Sequence, residues 1–590
     1  MIAFGIALGL VALLMAAILE FNKNTVLGFV LLALAAIGFI LLFVKVLYGS
    51  KWYWKLVGWL GFLLTFAGIL ILTWPSVKNV PAYRGNTPER TQVVSLADGD
   101  VRGVILEDGA VELYAGIPYA APPVGDLRWK EPQDPAPWES ILEADHFAPM
   151  FSQPTHLPIY NSLSQVIGYH DYRIDLSDNF VAPVSEDALY LNVWKPAGDA
   201  QGLPVLVYIH GGSLQSGQPW YEDYAGKGIA AAEGMVVVNM GYRLGVFGFF
   251  ADEELAAESP NGTTGNYGLL DQIKALEWVK NNIAAFGGDP GNVTLSGESA
   301  GSACVSALCA SPLAKGLFRR VLLESSTVVS AEPPHSFRLL DEALESGADL
   351  KERYGASSVA DLRALSADDL IGEAFTQHHI TVDGYVLSEL PYETYRKGNN
   401  NEEAILHGYN SEESGPFILF DHANLKNYEQ KVRGYFGEYA DEVLALYDPK
   451  TDAEADADWA AIYGAVFFNY PHYCLNRLAS ENGTPVYEYC FSKKNGRLGP
   501  WHSGEMMYFY GNIPATSSVF DDSDRALSKT VMAYIKNFAT SNDPNGAGLP
   551  AWEQSKDSTR LLKLDTTVEM ADEPFLAFYD ILDRMQGWGE

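Results

Sequence analysis

The residues most able to do chemistry sit in a five-residue run. Gly297, Glu298, Ser299, Ala300 and Gly301 place a small residue two positions on either side of a serine. A strand that turns sharply into a helix crowds the turn residue against its neighbours. Glycine at both flanks removes the side chains that would collide, so the serine can take strained angles and present its hydroxyl at a helix N-terminus. The first N–H groups of that helix are unpaired, and its dipole is positive there, which suits an oxygen that becomes negative during reaction. The pattern is short, and glycine and serine are common in turns, so a merely crowded turn is the alternative.

Three further stretches bear on the choice. "HGGS" (His210 to Ser213) lies well upstream and offers a run of backbone N–H groups that, with the N–H of Ala300, can converge on one oxygen. A carboxylate follows the serine in "HGYNSEESGPF", and a histidine, His502, follows in "LGPWHSGE". Serine, acid and histidine in that chain order suit nucleophilic acyl transfer on a strand–turn–helix scaffold. His502 is one of 11 histidines and could simply pack or cap, but Gly499, Trp501 and Gly504 around it indicate a loop from which a ring can reach a site.

The elements that must position these groups are legible in the spacing of apolar residues. "LPVLVYIH", "GMVVVNMGY" and "NVTLSG" read as buried strands. Between the last two, "DQIKALEWVKNNIAAFGG" has a helical period and stops at Gly287 and Gly288. Strands alternating with helices predict an α/β fold with a mainly parallel sheet covered on both faces. Functional residues in such sheets gather at the carboxyl ends of the strands. Both Ser299 and the glycines after His210 fall there. "DAEADAD" (Asp452 to Asp458) reads as a helix start, not as a binding tail.

Composition narrows the partners. The net charge is −34, and the first 95 residues hold seven Lys/Arg against two Glu, so the acidity lies in the remainder. A body that acidic repels nucleic acid, and solubility is the simplest reading of the charge. Apolar residues make up 48%, enough for a large core without metal or disulfide support. Cys304 and Cys309 are five apart in a helical stretch and do not face each other; Cys474 and Cys490 can pair only if their elements touch. No zinc-ligand spacing appears.

The N-terminus is different material. Ile2 to Leu19, Thr25 to Val44 and Leu56 to Trp74 are uncharged apolar runs. At about 1.5 Å per residue each nearly spans a bilayer core of about 30 Å. We expect three transmembrane helices over about 2–19, 25–47 and 56–74, with Trp52, Tyr53 and Trp54 at headgroup level in the second link. No basic residue precedes the first run and no cleavage signature follows it, against a signal peptide. Lys45, Lys51 and Lys55 in one short link, against Lys23, Lys78, Arg84 and Arg90 on the other side, favour a cytoplasmic link and an extracytoplasmic large domain. The expected organisation is a membrane region over 1–76, a Pro-containing linker over 77–93, and a large domain over 94–590. The bilayer is one expected partner; oligomeric state is not legible.

From about Val94 to Arg584 the chain resembles the type B carboxylesterases, the cholinesterase-like branch of the α/β-hydrolases. The resemblance rests on "YAGIPYAAPPVGDLRW", "SEDALYLNVWKP", "YIHGGS", "YRLGVFGFF", "GNYGLLDQIKALEWVKNNIAAFGGDPGNVTLSGESAG", "WHSGE" and "NFATSNDPNG", in order. It implies an α/β-hydrolase fold with a large, mostly parallel central sheet flanked by helices, here preceded by the three membrane helices. It implies hydrolysis of small-molecule carboxylic esters with no metal or organic cofactor. Residue by residue, it assigns Ser299 as nucleophile, His502 as general base, and Glu413 as the acid, with Glu412 as the rival. It assigns the oxyanion hole to the backbone of Gly212, Ser213 and Ala300. It makes Asp383 a structural turn and pairs Arg128 with Glu186 and Arg243 with Asp271 as framework.

The chain departs from the family in places. Ser213 stands where glycine or alanine is usual, and the cysteine often found at Ala188, with a partner near Ala148, is missing. The loop from Pro149 to Val184 has no tryptophan, which argues against a choline site. Glu298 beside the nucleophile either disfavours anionic substrates or supports nearby loops. The family also contains inactive adhesion proteins, so a tethered binding protein is the alternative from another class, and a lipase or amidase the alternative on the same chemistry.

Overall fold

The computed structural model describes residues 2–83, 88–106, 109–154, 159, 180–371, 378–494, 499–517 and 519–588. Arg84 and most of the loop between Pro149 and Val184 lie outside them. The chain divides into two compact units, one of residues 1–80 and 155–183, the other of residues 81–154 and 184–590.

In the first unit α1 (Ile2–Phe21), α2 (Val26–Leu42) and α3 (Trp52–Leu72) form three helices, α2 running on through a π-turn to Leu47. All three are long and apolar enough to cross a membrane. The third starts four residues earlier than the apolar run suggests, so Trp52, Tyr53 and Trp54 belong to its first turn and not to a link. Charge content marks where an apolar run begins, whereas a helix continues through any residues that can keep its backbone bonds. Where the helices meet, Phe39 packs on Trp59 and Phe62. Asn24 Nδ2 donates to the Leu70 carbonyl and to Thr73 Oγ1, both at 2.9 Å. Leu13, Leu34, Leu41 and Leu64 point outward and are exposed. Ser76–Val77 pairs in parallel with Phe180–Val181.

The second unit is built on a sheet of twelve strands among the described residues. In chain order they are β1 (Glu89–Arg90), β2 (Val104–Ile105), β3 (Val111–Pro118), β4 (Tyr190–Pro196), β5 (Leu203–Ile209), β6 (Val236–Met240), β7 (Gly288–Glu298), β8 (Arg320–Glu324), β9 (Ile405–Asn410), β10 (Val486–Phe491), β11 (Arg560–Leu564) and β12 (Glu569–Asp572). The spatial order is β1-β2-β3-β4-β6-β5-β7-β8-β9-β10-β11-β12. The run from β6 to β11 is parallel, and the pairs at the two ends are antiparallel.

Alternation along a strand sorts side chains between two cores. Val205, Val207 and Ile209 of β5 join one cluster, with Leu269, Ile273 and Leu276 of α4 (Tyr267–Asn282) and Ala303, Ala307 and Leu308 of α5 (Ala300–Ala310). Leu206 and Tyr208 join the other, with Val531, Ile535 and Phe538 of the helix Asp522–Ser541. Two apolar faces explain why these strands read as continuous hydrophobic runs. The acidic stretch after Thr451 does start a helix, α6 (Asp452–Gly464), and Thr451 caps it by accepting from the Glu454 N–H. The four cysteines are free and buried, including Cys474 and Cys490.

Candidate active site

Register brings the chemical residues to one edge. Ile209 of β5 is opposite Gly297 of β7, Glu298 is opposite Glu324 of β8, and Glu324 is opposite Gly408 of β9. The chain therefore leaves β5 at His210 beside the point where it leaves β7 at Ser299.

Ser299 has φ 56° and ψ −129°, a conformation that costs a non-glycine residue about 1–3 kcal/mol and persists only where its surroundings enforce it. Its N–H donates to the Glu324 carbonyl at 2.8 Å, and its carbonyl accepts from Ala303 at 2.9 Å. The flanking glycines are required sterically. A Cβ on Gly301 would lie 2.0 Å from the Ile209 carbonyl oxygen, and one on Gly297 would lie 2.6 Å from the Gly301 carbonyl carbon. Helix α5 then begins at Ala300, whose N–H makes no hydrogen bond among the described residues.

The loop after β5 folds against this turn. A Cβ on Gly211 would meet Ser299 Cβ at 2.9 Å. Gly212 has φ 108° and Ser213 φ 57°. The Gly212 carbonyl accepts from Gln215 and Ser216, both at 3.0 Å, while the N–H groups of Gly212 and Ser213, like that of Ala300, have no acceptor among the described residues. His210 stands behind, stacked on Tyr242 with ring centroids 4.6 Å apart, and Tyr242 Oη donates to the His210 carbonyl at 2.8 Å.

The acid and the histidine come from the next strands. Glu413 follows β9; its Oε1 accepts from the Asn410 N–H at 2.7 Å and its Oε2 lies 2.6 Å from His502 Nδ1. The two loops are tied together: Glu412 N–H donates to the Pro500 carbonyl at 3.1 Å and Asn410 Nδ2 to the Trp501 carbonyl at 2.6 Å. Glu412 points away and pairs with Lys494. His502 Nε2 is buried without a hydrogen bond among the described residues and lies 3.4 Å from Glu298 Oε1, on the residue preceding Ser299. Ser503 Oγ donates to that same Glu298 oxygen at 2.6 Å.

Four buried carboxyls, Glu298, Glu324, Glu413 and Glu505, share this edge. Burial would lower the His502 pKa, but the carboxylates of Glu298 and Glu413 outweigh it and push the imidazole up to about 9. Burial raises Glu298, partly offset by His502 and by the Ser503 hydroxyl. Glu505 is pushed up to about 8 by burial and by the charges of Glu298 and Glu413. It accepts from Ser325 Oγ at 3.1 Å and from Asn410 Nδ2. Glu324 is raised well above the ordinary carboxylate range, by burial and by Glu505 and Glu298, and takes one bond from Tyr510 Oη at 3.1 Å.

Two rings pack against the imidazole: Phe417, centroid 5.0 Å away at 72°, and Phe468, 4.7 Å away at 46°. Sequence reasoning missed both rings, and missed Glu324 and Glu505. Phe417 lies four residues after Glu413 and Glu505 three after His502, so proximity in sequence was an available signal. Glu324 is brought in by strand register alone. The framework expectations hold. Arg128 Nε donates to Glu186 Oε2 at 2.7 Å, Arg243 Nε to Asp271 Oδ2 at 2.8 Å, and Asp383 Oδ1 accepts from the N–H groups of Val386 and Leu387 at 3.0 and 2.9 Å. Among the described residues no group of His, Cys, Asp and Glu is arranged to hold a metal ion.

The family model described as the carboxylesterase family matches residues 90–581. The chain belongs to the carboxylesterase family. It is 32% identical over 514 residues to a fumonisin B1 esterase of Sphingopyxis macrogoltabida, covering 84% of this chain and 90% of that one. It is 31% identical over 551 residues to a liver carboxylesterase of Sus scrofa, covering 85% and 94%. Among solved structures it is similar to a PNB esterase, with a TM-score of 0.69 and 28% identity, over 83% of this chain and 99% of that one. The twelve-stranded unit is thus an α/β-hydrolase, and the protein is a serine hydrolase of carboxylic esters.

Proposed function

We propose that this esterase is membrane-anchored and works through an acyl-serine intermediate, with Ser299 as nucleophile, His502 as base and Glu413 as the carboxylate that orients it. The observation that carries the reading is the 2.6 Å contact of His502 Nδ1 with Glu413, which leaves Nε2 unbonded beside the strained Ser299 turn. Glu413 holds the proton on Nδ1, so Nε2 is the free base. Nε2 takes the Ser299 proton as Oγ attacks the ester carbonyl. The developing oxyanion is met by the N–H groups of Gly212, Ser213 and Ala300, each worth about 3 kcal/mol in related chemistry. The imidazolium, stabilised by Glu413, returns the proton to the departing alcohol. Water then attacks the acyl-serine with the same nitrogen as base.

Helices α1 to α3 are read as spans, and the lysine distribution across their links favours the esterase unit on the extracytoplasmic side. An organophosphonate probe tests the chemistry. Labelling of the wild type that disappears in Ser299→Ala supports the reading. Absence of labelling in folded wild-type protein would instead favour a tethered binding protein. Cleavage of the esterase unit by protease added outside intact cells supports the orientation, and protection until lysis opposes it.

A further inference from the structure

Helix α6 runs into α7 (Tyr470–Glu481) through a π-turn at Ala465–Asn469. The N–H of Tyr470 reaches back five residues to the Ala465 carbonyl. The next residue is Pro471, which has no N–H and so cannot donate to the carbonyl of Phe467, four residues before it. A carbonyl shielded from water without a donor is costly, and π-turns recur at functional sites.

That carbonyl is not left unpaired. His335, distant in sequence, places Nε2 2.8 Å from the Phe467 oxygen. A carbonyl only accepts, so Nε2 must carry the proton. Nδ1 is then bare and takes the Ser336 hydroxyl at 3.0 Å. Burial keeps this ring neutral, lowering its pKa to about 4, and the nearby charge of His502 acts in the same direction. The ring also packs on both aromatic residues of the turn, with centroids 6.4 Å from Phe467 and 5.5 Å from Phe468. Phe468 is one of the two rings that pack against His502.

We propose that His335 is a positioning residue for the esterase reaction: its Nε2–H replaces the N–H missing at Pro471, and so fixes the π-turn that seats Phe468 on the His502 imidazole. The proposal rests on His502 being the general base. The charged groups facing His502 are Glu298, Glu413 and Glu505; none lies on the π-turn, so the turn acts on the imidazole through packing and exclusion of water.

The test uses the full-length protein in detergent with a short-chain aryl ester, measuring kcat, KM and the pH profile. His335→Phe keeps a ring and loses the donor. It lowers kcat about tenfold, as expected for a catalytic group allowed to drift by less than an ångström, with little change in KM and a displaced acid limb. His335→Gln returns an N–H near the Nε2 position and stays within about threefold of wild type. Pro471→Ala restores the helical donor, so adding His335→Phe to it costs little, a non-additivity expected only if the two sites serve one carbonyl.

The proposal fails if His335→Phe matches wild type in kcat and acid limb, or if His335→Gln is as impaired as His335→Phe. Should His335→Phe alone not fold, Pro471→Ala/His335→Phe decides: near-wild-type kinetics support the proposal, and a deficit or failure to fold overturns it. Loss of turnover in Ser299→Ala together with a silent His335→Phe would sink this inference and leave the catalytic reading standing. Retained turnover in Ser299→Ala would sink the reading itself.

Discussion

Replacing Glu298 with glutamine should move the acid limb of kcat/KM to lower pH. Glu298 Oε1 lies 3.4 Å from His502 Nε2, and both groups are buried. Two unit charges at that distance attract by about 1 kcal/mol at the dielectric constant of water and about 5 kcal/mol at an effective value of about 20. At 1.36 kcal/mol per pKa unit this spans roughly one to three and a half units. The sign follows from the proposed role of the ring: as general base His502 would act only when neutral, so the rate would rise with pH through its pKa, which the carboxylates push up to about 9. Removing one negative charge destabilises the imidazolium, lowers that pKa by about one unit or more, and brings the limb down with it. Glutamine keeps a carbonyl oxygen for the Ser503 hydroxyl, so the change isolates charge from hydrogen bonding. The assay is kcat/KM for a short-chain aryl ester across the pH range, since that ratio reports the free enzyme. A limb that stays in place, or moves up, would refute the electrostatic reasoning.

Glu413→Gln should cost about 10³–10⁴ in kcat, because Glu413 holds His502 Nδ1, whereas Glu412→Gln should stay within about twofold, because its partner is the surface Lys494; steady-state kinetics of the two variants separate them. Gly301→Ala should destabilise the esterase unit by about 1–3 kcal/mol or more and disable the site together, since its Cβ would lie 2.0 Å from the Ile209 carbonyl; thermal unfolding and turnover read the two effects. Arg243→Ala should cost about 3–5 kcal/mol of stability, because it strands the Asp271 carboxyl in a core where both partners are nearly inaccessible; a chemical-denaturation midpoint matching wild type would contradict this.

How much of this was legible depended on whether the information was local. The Ser299 turn was readable because its demands fall within five residues: a strained serine needs small neighbours at fixed offsets, and the close approach of backbone to Gly297 and Gly301 is the steric reason. The parallel strands were readable because burial on both faces writes continuous apolar runs. The choice of Glu413 over Glu412 came from family resemblance, since two adjacent glutamates look alike until their directions are known. Glu324 was not readable. Nothing near it in sequence announces chemistry, and only the pairing of β7 with β8 sets it opposite Glu298.

That pairing has an energetic consequence. A lone imidazole among four buried carboxyls cannot be balanced if all four are ionised, because each further negative charge raises the cost of the next. The arrangement resolves this by unequal solvation. Glu413 takes a backbone N–H and the imidazole. Glu505 takes Ser325 and Asn410 and still sits at about 8, while Glu324 has a single tyrosine bond and one oxygen without a partner among the described residues. Burial pushes both of these carboxyls up, Glu505 to about 8 and Glu324 well above the ordinary carboxylate range, which disfavours negative charge on them. On the proposed reading, the edge that offers N–H groups to an oxyanion also offers charge to the imidazolium that forms with it, and strand order, not any single motif, gathers both at that edge.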